Sequence, residues 1–536
     1  MTMAISDRKH KISISYPNDF SVSDEPIAGN LPRRRRDSNK PLLAEHESEL
    51  ASALASSQVE MQLLDAFTLL PQQDGGPTEG VRQRRGEPAG TANVVIEVPV
   101  AADEFAVLLT EQDGVFSWRL PTRVNPAGRR RRGEDESVPD RSQPRQVTFE
   151  LEQTEPRPEG RVRRSSVVSW LLKPVRVYVI KFAARVAGAV TMKFLERNVD
   201  PKPIRLASPD VGQWRKFDPA DCPRPGGEKP RILLLVHGTF SSTKGSFGGL
   251  ATTDAGTAFL QAAGERYDLV MGYDHRTLSE TPEENARDLL GALQSIRWIE
   301  SAIIDVVCYS RGGLVTRYLL ERLLPASGSG IRVEDAVFVG CTNAGTHLAE
   351  PENWQVLVDG YTNLALLACK AAEMLPTTKV PASVIGEVLQ GASSFVKYLV
   401  SEAVSEGGVP GLAAMEPDGA LVTSLNGSTG GVSPKQSKYH VVQSNFDVSW
   451  FRRNRENETL MGRAALALAD SLADQLMQRK NDLVVPTESM AAFGRYSVWF
   501  DETNRIAFEG ERVVHHLAYF ASEEVARSLH QWLIPS

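Results

Sequence analysis

The sequence predicts an α/β architecture: a mostly parallel sheet with helices on both faces and a helical cap insertion, preceded by a small β-rich N-terminal domain. Three observations predict it. Residues 303–314 read IIDVVCYSRGGL, a short β-branched run ending in a small hydroxyl residue and two glycines, the pattern of a strand passing to a helix through a sharp turn. Further short apolar runs, at 232–236, 267–272, 333–339, 439–443 and 497–500, are separated by stretches that include helix-length patterns. That is how βαβ units and a sheet covered on both faces read. Upstream, NVVIEVPV at 93–100 alternates with period two, as a strand with one buried face does.

Taken in order, residues 1–90 are mostly polar, include PQQDGGPTEG, and read as largely disordered or irregular. Within them the Ala/Leu/Glu-rich stretch 50–69 is compatible with one helix. Residues 91–165 form the small β-rich domain, with strands expected at 93–100, 105–109, 115–120 and 147–151 around a disordered insert at about 121–145. Residues 166–229 read as a helix and linker. The apolar stretch 167–195 is broken by Lys173, Pro174, Arg176, Lys181, Arg185 and Lys193, so it falls short of a membrane span. A helix over 175–195 packed on a domain is the preferred reading, and a basic membrane-surface helix is the alternative. Pro and Gly in DCPRPGGEKP punctuate the chain at 221–230, and residues 230–536 hold the α/β unit. Its helices are expected at 283–296, 314–323, 463–476 and 523–533. A cap at about 350–435, helical at 361–372 and 382–404, fits over the carboxyl ends of the strands, where open sheets hold their sites.

A chain of 536 residues is too long for one ordinary core. Its net charge of −7 argues against a dedicated nucleic-acid binder. Four-arginine runs at 33–36 and 129–132 read as solvated linker charges, with contact to an acidic partner, nucleic acid or a lipid surface as the alternative. The four cysteines, at 222, 308, 341 and 369, form neither a close pair nor a zinc-finger spacing. No metal or cofactor is therefore expected, and a reducing compartment fits. The opening MTMAISDRKHK lacks an apolar run behind it that would mark secretion, so a cytoplasmic location is expected.

Ser310 anchors the functional reading, either as an exposed nucleophile at the turn or as a helix cap. Cys308 stands two residues before it, where a glycine-x-serine-x-glycine pattern has glycine. A serine nucleophile needs a base and an acid that orients the base. Of nine histidines, His515 and His516 lie late in the chain, before the final helix. His516 is preferred and His515 is the alternative, because a one-residue change of register exchanges their faces. Asp482, in the polar turn of RKNDLVVPTES, is the preferred acid over the helix-borne Asp470 and Asp474, with Glu488 in reserve. An oxyanion requires two amide donors, for which the backbone N–H groups of Arg311 and Thr239 are the candidates. His237, at the end of a buried run, reads as a structural hydrogen-bonding residue.

VHGTFSS (236–242), YDHRTLSETPEENA (273–286), VVCYSRGG (306–313), TNAGTHLA (342–349), NDLVVPTES (481–489) and HHLAYF (515–520) together resemble the α/β-hydrolase superfamily, in particular bacterial lipase/esterase-like proteins of the triacylglycerol-lipase type. The resemblance covers about residues 230–535 and departs from the family at Cys308. It implies a Ser310, Asp482, His516 triad in the chain order of that class, oxyanion donors at Thr239 and Arg311, no cofactor, and a small-molecule or lipid ester as substrate. Ester, thioester and amide stay open, with an apolar acyl ester as the leading expectation. Two other readings remain: a degenerate hydrolase fold serving as an interaction module, and an effector or defence hydrolase targeted, through a protein partner or peripheral membrane contact, by its N-terminal region.

Overall fold

The computed structural model describes residues 3–17, 20–25, 61–71, 93–112, 115–126, 145–152, 174–183, 196, 199–206, 208–226, 229–374, 382–400, 408–427, 437–446, 480–494, 503–509 and 514–534. The chain divides into two compact units, Met1–Val190 with Leu399–Glu402, and Thr191–Tyr398 with Ala403–Ser536.

The first unit contains two five-stranded antiparallel sheets. One has the order β1 (Met3–Asp7), β2 (Ser13–Pro17), β5 (Asn93–Val100), β9 (Arg145–Glu152), β8 (Arg123–Pro126); the other has β3 (Phe20–Ser23), β4 (Met61–Pro71), β10 (Val175–Ala183), β6 (Glu104–Gln112), β7 (Val115–Arg119). Alternate residues of β5, Val94, Ile96, Val98 and Val100, are buried and share a core with Phe67, Leu69, Leu108, Val175, Val177 and Val179 of the other sheet. Two sheets that bury their inner faces against each other in this way form a sandwich.

Four expectations are corrected here. Within residues 1–90, expected to be largely irregular, 3–7, 13–17, 20–23 and 61–71 are the strands β1 to β4, and 26–60 and 72–90 lie outside the described residues. The helix considered for 50–69 is a strand from Met61 onward, and 50–60 lies outside the described residues. The helix expected at 175–195, whether packed or at a membrane surface, is the strand β10 over Val175–Ala183. The reason is tertiary. Strand β10 lies between β4 and β6 and pairs with both, Val177 facing Phe67 and Thr110, so its β-branched and aromatic residues are used on a covered sheet. Two of the charges that interrupt the apolar run have partners across strands: Arg176 donates to Thr68 Oγ1 at 3.1 Å, and Lys181 meets Glu104 at 2.8 Å. Part of the insert expected to be disordered at about 121–145 is the strand β8 (Arg123–Pro126), paired with β9; 127–144 and the arginine run at 33–36 lie outside the described residues.

The second unit is built on an eight-stranded sheet of order β12 (Arg215–Lys216), β11 (Pro203–Arg205), β14 (Leu269–Tyr273), β13 (Arg231–Val236), β15 (Ile303–Tyr309), β16 (Arg332–Val339), β17 (Lys438–Ser444), β18 (Arg505–Phe508). From β14 to β18 all neighbours are parallel, and only the β12–β11 edge runs antiparallel. Pleating sends successive residues to opposite layers. Ile232, Leu234, Val306 and Cys308 pack with Leu289 and Leu293 of helix α2 (Pro282–Gln294) and with Val315 of α3 (Gly312–Tyr318). Leu233, Leu235, Val307 and Tyr309 pack with Phe259 and Leu260 of α1 (Asp254–Arg266) and with Val525 and Leu529 of α6 (Glu523–Leu533). This is the α/β-hydrolase core with helices on both faces.

Between β16 and β17 the cap contributes α4 (Trp354–Met374) and α5 (Ala382–Val400). Its apolar stripes, including Leu357, Tyr361, Leu364, Val388, Ala392 and Phe395, are buried. The first helix begins earlier than the expected 361. The strand expected at 497–500 and the helix at 463–476 lie outside the described residues. Among the described residues no helix is long and apolar enough to cross a membrane.

Candidate functional site

Strand β15 ends at Tyr309, and Ser310 follows with φ of 54°, a left-handed conformation that a side chain other than glycine adopts at a cost of about 1–2 kcal/mol. The turn is held from both sides. The Ser310 amide donates to Val339 O at 3.1 Å, and the Ser310 carbonyl accepts from the Gly313 amide at 3.0 Å. Gly312 is required because a Cβ there would lie 2.4 Å from Val236 O. Gly238, on the loop after β13, is equally constrained: its Cβ would lie 2.6 Å from Ser310 Cβ. The missing side chains let the loop and α3 close on the serine.

His516 Nε2 lies 3.0 Å from Ser310 Oγ, and His516 Nδ1 lies 2.7 Å from Asp482 Oδ2. Ser310 is 2% exposed, while His516 and Asp482 are 0% exposed, so bulk water does not compete for these bonds. Asp482 sits in the loop Asn481–Pro486, closed by a bridge between its ends. Its Oδ1 accepts from the amides of Val484 and Val485 at 3.1 and 2.8 Å, and its Oδ2 also accepts from Tyr519 Oη at 2.9 Å. His516 is fixed through its backbone: its amide donates to Asp482 O at 3.0 Å, and its carbonyl accepts from Tyr309 Oη at 2.7 Å. Three residues distant in sequence thus form one hydrogen-bonded file.

His515 is turned elsewhere. Its ring is 6.4 Å from that of Phe446, and burial pushes its pKa down to about 4. Glu488 lies in the short helix Thr487–Met490, whereas Asp470 and Asp474 fall outside the described residues.

Thr239 and Arg311 flank the serine along the chain and on the facing loop. Among the described residues, neither backbone amide donates to a protein acceptor. The Arg311 side chain points away, donating to Asn285 Oδ1 at 2.8 Å and to the carbonyl of Gly411 at 3.3 Å. His237 holds the loop: Nδ1 pairs with Gly238 O at 2.9 Å, so it carries the proton, and Nε2 accepts from the His275 amide at 3.1 Å. Burial lowers the pKa of both histidines, in keeping with neutral rings. The next residue but one past Gly238, Phe240, has φ of 55° and is backed by Gly391 of α5, where a Cβ would lie 2.7 Å from Phe240 Cβ.

Several residues of the site carry no sequence signal. Glu196 accepts from the amides of Thr277, Leu278 and Ser279 at 2.9, 3.0 and 2.6 Å, and Thr277 Oγ1 in turn lies 3.4 Å from the Phe240 amide. The Tyr361 ring of α4 stands edge-on to that of His516, with centroids 6.1 Å apart. Tyr519 was within reach of inference, because residues three apart on the short 3-10 helix His516–Ala521 share a side. For a metal, the one acidic group among the described residues is Asp305, Glu334 and Asp335. Arg231 already bonds Asp305 at 2.7 Å and Glu334 at 2.8 Å.

Fold and site together define an α/β-hydrolase-fold protein with a buried serine–histidine–aspartate file. The chain belongs to the family described as Domain of unknown function (DUF7379), whose model matches residues 201–534. A second model, Domain of unknown function (DUF7362), matches residues 30–169. No curated protein sequence matches the chain. Among solved structures it is similar to lipase 1 from Pelosinus fermentans, at 13% identity and a TM-score of 0.35 over 58% of this chain and 99% of that one. It is also similar to the mature Bacillus licheniformis lipase BlEst2, at 12% identity and 0.32 over 58% and 94%. Phospholipase PlaB from Legionella pneumophila aligns at 12% identity and 0.29 over 48% and 45%.

Proposed function

We propose that this protein is a serine hydrolase that cleaves a carboxylic ester through an acyl-enzyme. The observation that carries the reading is the continuous file from Ser310 Oγ to His516 at 3.0 Å and from His516 to Asp482 at 2.7 Å. In this reading Ser310 Oγ bonds the carbonyl carbon while its proton passes to His516 Nε2. The Asp482 carboxylate holds the proton on Nδ1 and balances the imidazolium charge. The amides of Thr239 and Arg311 receive the oxyanion. His516 then returns the proton to the departing alkoxide as the ester C–O bond breaks, and water repeats the sequence to free the acid and the serine.

The buried apolar faces of Phe240, Phe395, Met415 and Leu364 support an apolar acyl group as the substrate feature. For the sandwich unit we propose a targeting role. A cytoplasmic location is proposed on the unpaired thiols of Cys222, Cys308 and Cys341.

A fluorophosphonate probe tests the reaction whatever the natural ester is, because it reacts with the activated serine itself. One adduct per chain on Ser310, absent in Ser310→Ala and His516→Ala, is expected. Folded wild-type protein that takes up no probe would leave the fold as an interaction module and remove the enzyme reading.

A further inference from the structure

Four hydrogen-bond donors converge on the Asp482 carboxylate. Oδ1 takes the amides of Val484 and Val485, while Oδ2 takes both His516 Nδ1 at 2.7 Å and Tyr519 Oη at 2.9 Å. The phenol and the imidazole therefore draw on one oxygen. The other neighbour of Tyr519 Oη, Met490 Sδ at 3.6 Å, is an acceptor too, so the hydroxyl donates. Burial, reinforced by the charge of Asp482, pushes this phenol far above its usual range, and it keeps its proton. The ring is built into the core. It is 0% exposed and stands edge-on to His516 with centroids 6.3 Å apart and to Tyr309 at 6.4 Å. Beside it Gly340 has φ of 53°, and a Cβ there would lie 2.6 Å from Tyr519 Cε2 and 3.3 Å from Asp482 Oδ2. A glycine at 340 thus admits the phenol next to the carboxylate.

We propose that Tyr519 is a positioning residue that acts on His516 through the shared Asp482 oxygen and sets the pH at which the histidine becomes available as a base. The inference rests on the serine hydrolase reading set out above. When His516 takes the proton of Ser310 Oγ, the imidazolium is balanced by the charge on Oδ2. A phenol O–H on that oxygen already draws on part of the charge, so the imidazolium is stabilised less. His516 then stays neutral, and able to accept the serine proton, down to lower pH. The other titratable groups that face this corner do not change charge near neutrality. Burial pushes His515 down to about 4, and it raises the phenols of Tyr309 and Tyr361 and the thiol of Cys341. Glu488, on the short helix that carries Met490, is exposed to solvent. Among the described residues, protonation of His516 is therefore what the acid limb of the rate profile reads.

The test follows the rate of fluorophosphonate labelling of the full chain between about pH 5 and pH 9, because the probe does not ionise and the limb belongs to the free protein. Three proteins are compared: the wild type, Tyr519→Phe, and a chain with 2-fluorotyrosine in place of Tyr519 alone. Tyr519→Phe removes the O–H and keeps the ring beside Gly340. Its acid limb is expected to move up by about 0.5–1 unit, the order by which one donor shifts a carboxylate's balance. Its plateau rate should fall far less than the about 10⁴ lost with the aspartate itself. 2-Fluorotyrosine is the more acidic phenol and the stronger donor, so its limb should move down. A merely structural tyrosine would lower the thermal midpoint or the plateau and leave the limb in place. An unmoved limb in Tyr519→Phe, or limbs that move the same way in both variants, would overturn the proposal. If Tyr519→Phe does not fold, the 2-fluorotyrosine protein decides, and an unmoved or raised limb there refutes it. Wild-type protein that takes up no probe at any pH would refute the hydrolase reading itself, and the proposal with it; labelled wild type with unmoved limbs in the variants refutes the proposal alone.

Discussion

Replacing Glu387 by Gln should make the stability of the cap nearly independent of pH. Glu387 lies on α5, is partly buried, and its Oε2 accepts from Ser242 Oγ at 2.6 Å. Ser242 in turn accepts from the Gly245 amide at 3.1 Å and caps the helix Thr243–Phe247. This contact joins the cap to the loop that begins at Gly238. Burial, reinforced by the charge of Asp274 and opposed by the Ser242 bond and Lys244, raises the carboxyl from 4.5 to about 7. A carboxyl whose folded pKa is raised binds its proton more tightly in the native state. Its contribution is therefore full below about pH 4.5 and is lost as pH rises through 7. A shift of roughly 2.5 units at 1.36 kcal/mol each corresponds to about 3 kcal/mol, an upper bound because part of the carboxyl still meets solvent. Urea unfolding of the wild type and Glu387→Gln at pH 5 and pH 8, with hydrogen exchange resolved at α5, reads this directly. The variant should match the wild type at pH 5 and exceed it by up to about 3 kcal/mol at pH 8. An equal difference at both pH values would refute a raised carboxyl and the reasoning from burial.

Asp482→Asn should keep the fold yet lower turnover by about 10⁴, the size of the loss when the triad aspartate of a serine protease becomes asparagine, because an amide nitrogen facing Tyr519 Oη and His516 Nδ1 cannot accept from both; steady-state kinetics with a circular-dichroism control checks it. Gly312→Ala, with its Cβ 2.4 Å from Val236 O, should cost about 1–3 kcal/mol in overpacking and abolish labelling of Ser310. His515→Gln should leave turnover within a few-fold. It should also remove a loss of stability on acidification: a histidine lowered to about 4 contributes fully above its unfolded value near 6.5 and loses that contribution as pH falls through 4. Unfolding midpoints at pH 7 and pH 4 measure it, and an unchanged acid limb would sink the assignment.

What the sequence made legible was local. The strand Ile303–Tyr309 and the turn at Ser310 follow from a β-branched run meeting Gly312 and Gly313, and the final helix Glu523–Leu533 has the bounds its periodicity implies. His516, singled out by its late position, and Asp482, singled out by its polar turn, lie in one hydrogen-bonded file with Ser310. Strands β4 and β10 escape a reading by periodicity because the partners that make them strands are remote: Arg176 faces Thr68 across 108 positions. Lone basic residues in an apolar run look like helix interruptions until a cross-strand acceptor is present. Tyr361 and Glu196 were invisible for the same reason. Each acts through a cap or loop contact that no spacing within its own element records.

Cys308 shows how a departure from a motif is absorbed. Glycine two residues before a nucleophilic serine leaves room where the strand end meets its neighbours, and a thiol pointing into that room would close it. The side chain instead points into the layer under α3, 3.9 Å from Cys341 Sγ and 3.5 Å from Val337 O. Cys341 in turn presses on Gly313, where a Cβ would fall 2.6 Å from Cys341 Cβ. The volume added at 308 is thus taken up at 313, on the first turn of the helix. Both cysteines are fully buried, and the turn still places Ser310 Oγ 3.0 Å from His516. The small residues that the turn needs are present as Gly312 and Gly313, so the constraint on the chain is the summed volume at this contact and not the identity of position 308.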